Sequence, residues 1–92
     1  MKNATFKTTT ELLAFAGHVQ QEALASNSRE EFARMAEVAE QVKRLTDSIL
    51  SSGAFEGQAR KELLAASYLL STGMQDAQKA VVRRLRKAEF FA

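Results

Sequence analysis

No proline occurs anywhere in the 92 residues. Proline is the residue that most reliably stops a helix, and the chain is instead rich in Ala, Leu, Glu, Gln and Arg. Apolar residues make up 46% of it and recur mostly at three- and four-residue intervals. That spacing puts them on one face of a helix. The expected fold is all-α: a compact bundle of about four amphipathic helices in a single domain, residues 1–92, with an N-terminal arm for which an extended path is one option.

The start and stop signals divide the chain. Residues 1–7 form an arm in which Ala4, Thr5 and Phe6 fit either a short strand or a tail anchored by Phe6. Thr8 followed by Glu11 is a capping-box pattern, so a first helix is expected over about 9–25. Leu12, Ala16, Val19 and Ala23 line its buried face. Ser28 with Glu31 repeats the pattern and opens a helix over about 29–50, with Phe32, Met35, Ala39, Val42, Leu45 and Ile49 as a near-heptad seam. Glu30 with Arg34 and Glu40 with Arg44 are i,i+4 pairs in the favourable order. Gly53 suits a left-handed helix stop. A third helix over about 58–72 buries Ala59, Leu63, Ala66 and Leu70, and a fourth runs over about 74–90. Gly73 fits either a stop between these two or a mild interruption of one nearly continuous helix. Gly17, inside the first helix, costs about 1 kcal/mol against alanine, and the expected reason is close approach of a neighbouring helix.

Chemistry is sparse. Without cysteine there is no disulfide, thiolate nucleophile or thiolate metal site. One histidine, His18, cannot supply a zinc site, and no spacing selects a nucleophile–base pair around it. The glycines at 17, 53, 57 and 73 are too scattered for a phosphate-cradling loop. No catalytic residue, metal or cofactor is expected, and the chain reads as a non-enzyme. No apolar run reaches the roughly 20 residues of a membrane span, and Met1 to Thr10 holds none of signal-peptide length. The host cytoplasm is the expected location.

The charge is placed unevenly. From Met74 onward there are five bases (Lys79, Arg83, Arg84, Arg86, Lys87) and two acids (Asp76, Glu89), whereas the first 73 residues carry eight bases and nine acids. On a helix, Lys79, Arg83, Arg86 and Lys87 share an arc of roughly 100°, with Met74, Ala77, Val81, Leu85 and Ala88 opposite and Arg84 between. Cations suit a helix C-terminus, but four on one arc exceed that need. The expected partner is anionic: nucleic acid, or an assembly containing it. Arg60 and Lys61, at a helix start where acids are favoured, suggest a second contact, as do Lys2 and Lys7 on the arm. Phe90 and Phe91 are expected to fold back on the core, near Phe6, ahead of acting as a stacking platform.

The stretch TTTELLAFAGHVQQEAL, residues 8–24, followed by EEFARMAEVAEQVKRL resembles the small phage-encoded anti-CRISPR proteins. Among the type I-F inhibitors it is most similar to the eighth family. The resemblance covers about half the chain and carries no diagnostic motif. It implies a stoichiometric inhibitor of an RNA-guided type I surveillance complex, one that blocks target-DNA binding or guide pairing. Bases would touch guide phosphates, and Glu30, Glu37, Glu40 and Asp47 would touch lysines of the channel. The alternatives are a stand-alone nucleic-acid-binding module and a helical homo-oligomeric adaptor. A monomer is expected ahead of an oligomer.

Overall fold

The computed structural model describes residues 6–91, and their side chains as far as residue 89. The proposals for Lys2, for the path of the arm before Phe6 and for the rings of Phe90 and Phe91 lie outside these. Every element among the described residues is helical: α1 (Thr9–Leu24), α2 (Arg29–Ser52), α3 (Gly57–Tyr68), a π-helical segment (Leu69–Gly73) and α4 (Met74–Phe91).

Both capping signals operate, with one shift. The hydroxyls of Thr8 and Ser28 each accept from the N–H three residues on, at 3.1 Å. The reciprocal carboxylates reach one residue beyond the cap: Glu11 accepts from the N–H of Lys7 and Glu31 from that of Asn27. The chain is thereby fixed one residue before each helix begins. Gly53 closes α2 at φ 70°, the left-handed stop its position predicts.

The α3–α4 junction departs from a four-helix count. Gly73 is not a stop. Tyr68, Leu69 and Met74 all keep right-handed helical angles, so α3, the π segment and α4 form one rod. Thirty-five residues at 1.5 Å make roughly 52 Å, which matches the molecule's longest extent of 51 Å. The architecture is therefore three rods, with α1 and α2 forming a hairpin packed along the third. The radius of gyration, 14.6 Å, exceeds the about 12 Å of a rounder domain of this length.

Close approach explains the glycine here. A Cβ on Gly73 would stand 2.9 Å from Nε2 of Gln20 on α1. That nitrogen donates to the Gly73 carbonyl at 3.4 Å. Within the π segment, the Ser71 hydroxyl donates to the Ser67 carbonyl at 2.8 Å, occupying an acceptor where the regular ladder is disturbed. Gly17, expected to mark such an approach, faces open space instead.

The core follows the predicted stripes closely. Leu12, Ala16, Val19 and Ala23 of α1 meet Ala39 and Val42 of α2, and Leu63, Ala66, Leu70, Met74 and Ala77 of the long rod. Phe6 packs on Phe15 with ring centroids 5.3 Å apart. The α2 seam is corrected at one place: Leu45 is 40% exposed, and Thr46 is fully buried instead. Its hydroxyl donates to the Val42 carbonyl at 2.8 Å, which lets a polar residue enter the core satisfied. The remainder of the seam packs inside the chain's own core.

Candidate functional site: a cationic face on the long rod

Burial of Met74, Ala77 and Val81 fixes the rotation of α4. The opposite arc must then face solvent, and Lys79, Arg83, Arg86 and Lys87 are all exposed. They flank a shallow surface depression with Val82 at its floor and Gln75 and Gln78 at its upstream end. Gln75 and Gln78 also border a smaller hollow against Phe32, Ala36 and Glu40 of α2, so the face adjoins that helix.

Among the described residues, none of these four cations forms an ion pair with a carboxylate. Of the two acids in this stretch, Glu89 lies at the edge of the arc, where it pairs with Arg29 of α2 at 3.7 Å. Asp76 shares the cationic arc but makes no salt bridge among the described residues. Lys79 with Arg83, and Arg83 with Lys87, are like-charge i,i+4 pairs, each unfavourable by about 0.2–0.5 kcal/mol. An external anion would remove that repulsion.

Arg84 stands apart from its neighbours. Its guanidinium donates to the carbonyl of Ser26, a residue buried at the α1–α2 turn. It is a strut between α4 and the hairpin, which sets it apart from the four cations of the arc.

The remaining predicted cations among the described residues, Arg60, Lys61 and Lys7, fall toward the other end of the rod. Arg60 and Lys61 are exposed on the first turn of α3, roughly 28 Å along the helix from Lys79. No acid lies in that turn and no side chain caps it. Lys7 lines an apolar groove with Phe6, Ile49, Phe55 and Leu63, which places it near the same end. The described cations thus fall into two groups, the α4 face and this second set.

The acids of α2 also separate. Glu40 is paired with Arg44 at 3.2 Å, as expected, whereas among the described residues Glu30 and Arg34 form no pair. Asp47 is turned against α3: it accepts from Lys43 at 2.7 Å and from the Ser67 hydroxyl at 2.9 Å. The Lys43 hydrogen bond, helped by that from Ser67, holds the Asp47 carboxyl below the usual aspartate range against the opposing effect of desolvation. The same bond raises Lys43. Asp47 is therefore a structural tie, which leaves Glu30 and Glu37, of the four acids expected to meet a channel, exposed and outside any described ion pair. The i,i+4 spacing of Asp47 from Lys43 was a legible signal, whereas the Ser67 bond was not, because Ser67 is on another helix.

His18 sits on the surface 3.9 Å from Glu22, with Phe15 beside it. Among the described residues, no group of three ligating side chains converges on a possible metal position. No described helix is long and apolar enough to cross a membrane. Comparison with family models, curated proteins and solved structures found no match.

Proposed function

We propose that this protein is a non-enzymatic phage inhibitor that binds an RNA-guided type I CRISPR surveillance complex in the host cytoplasm and blocks target-DNA binding or guide pairing. One observation carries the reading: four exposed cations share one arc of α4, repel one another, and have no internal carboxylate partner among the described residues. The four cations span about 12 Å of helix, a little over two turns, enough to meet a short run of backbone phosphates. The resemblance of residues 8–24 and of the following helix to type I-F inhibitors names the assembly. No cofactor is required, because inhibition by occupancy involves no bond making.

The test is target-DNA binding by a purified type I-F surveillance complex, preincubated with the protein. Loss of target binding at stoichiometric protein supports the proposal. Full target binding at a large excess of protein refutes it.

The same cations also support a second reading, a stand-alone nucleic-acid binder. Three or four phosphate contacts would then give a slope of log K against log salt of roughly −3 with free duplex. The inhibitor reading expects weak binding to free DNA and tight binding to the assembled complex.

A further inference from the structure

Leu64 and Tyr68 are 48% and 61% exposed, the two most exposed large apolar side chains among the described residues. They lie one turn apart on α3, and Arg60 lies one turn before Leu64 with Lys61 beside it. The strip runs cation, aliphatic, aromatic over about 12 Å of helix. Among the described residues neither cation forms an ion pair. Glu62, the acid that follows them in sequence, is turned to α1, where it accepts from Thr9 at 3.1 Å and Thr10 at 2.7 Å. No described carboxylate therefore neutralises the strip from its own element or from α1.

We infer that this strip is a contact for a single strand of nucleic acid, with a base stacked on the Tyr68 ring, Leu64 against the sugar or base edge, and phosphates at Arg60 and Lys61. Charge complementarity selects the occupant. Two unpaired cations beside one exposed ring match the combination by which proteins hold single strands without reading sequence. Two apolar side chains are too little surface for a stable protein interface on their own. This contact uses different residues from the α4 face and stands or falls separately from it.

The chain contains one tyrosine and no tryptophan, so its ultraviolet emission reports Tyr68 alone. The experiment titrates the full chain with a fluorescein-labelled 20-mer of oligo-dT at about 50 mM salt, a condition that favours phosphate contacts. Anisotropy follows binding, and emission from unlabelled strand follows Tyr68. The expected result is quenching at saturation, about tenfold weaker binding for Tyr68→Ala, wild-type binding for Tyr68→Phe, and weaker binding of a duplex of equal length. Absence of binding, unchanged emission at saturation, or full binding by Tyr68→Ala overturns the assignment. It is also overturned if Tyr68→Ala impairs capture of a protein assembly while leaving oligo-dT binding intact, since the strip is then a protein contact. Reversal of Arg83, Arg86 and Lys87 leaves the Tyr68 quenching in place, which separates failure of this contact from failure of the α4 face.

Discussion

Gln20 of α1 reaches over the backbone of Gly73, close enough that a Cβ there would stand 2.9 Å from its amide nitrogen. Gly17, on the same helix as Gln20, has nothing within 4 Å of the equivalent point. The two glycines therefore respond differently to alanine. Gly17→Ala gains helix propensity without a clash and should raise stability by about 0.5–1 kcal/mol, a Tm increase of roughly 3–6 °C. Gly73→Ala must displace the Gln20 amide and lose its hydrogen bond, so its gain should be smaller or absent. Thermal melts of the two variants check the order, and a larger gain at Gly73 contradicts it.

The Arg84 strut predicts a stability effect where its neighbours show none. Arg84→Ala leaves the buried Ser26 carbonyl without its charged donor and should cost about 1–2 kcal/mol in urea unfolding. Arg83→Ala and Arg86→Ala, with no internal partner among the described residues, should stay within about 0.5 kcal/mol of the parent. Equal effects at all three would dissolve the distinction between strut and face.

The Lys43–Asp47–Ser67 tie predicts a pH dependence. Asp47 titrates lower in the folded state than in the unfolded chain, so its contribution is present above the unfolded value. That contribution is lost as pH falls below about 4 and through the lower folded value. Lys43 runs the other way: its contribution holds below the unfolded lysine value and fades as pH rises through the higher folded one. Asp47→Asn should flatten the acid limb of a stability–pH curve and destabilise the protein at neutral pH. An unchanged acid limb in that variant would assign the acid loss to other carboxylates.

Much of this arrangement was legible in the residues because its causes are local. The caps at Thr8, Ser28 and Gly53 act within three residues, and the stripe of α1 and that of α4 as far as Val81 are read from period alone, whereas Ala88, expected on the same stripe, is exposed past the end of the hairpin's cover. Where the cause lies on another element, the sequence was silent. Nothing near Gly73 announces that Gln20, 53 residues away, crosses it. Thr46 reads as polar until its hydroxyl is seen bonded to Val42. Arg84 looks like one more cation in a basic run, because a main-chain carbonyl leaves no mark on the sequence. The cationic arc was visible because it follows from the helical period. Its separation from Arg60 and Lys61 was already expected as a second contact, and joining α3 and α4 into one rod gives that separation a length, roughly 28 Å.

The cationic face makes the most direct demand. Arg83, Arg86 and Lys87 are exposed and take no part in the core, so their joint reversal to Glu should leave the fold intact by circular dichroism. The decisive measurement is capture of a purified, nuclease-treated type I-F surveillance complex by the tagged wild-type chain and by this triple variant, side by side. Stable capture by the wild type and loss of at least a hundredfold in affinity for the folded variant is the predicted result. Equal capture by both would show that the complex is held elsewhere, and no capture by either would remove the inhibitor reading altogether.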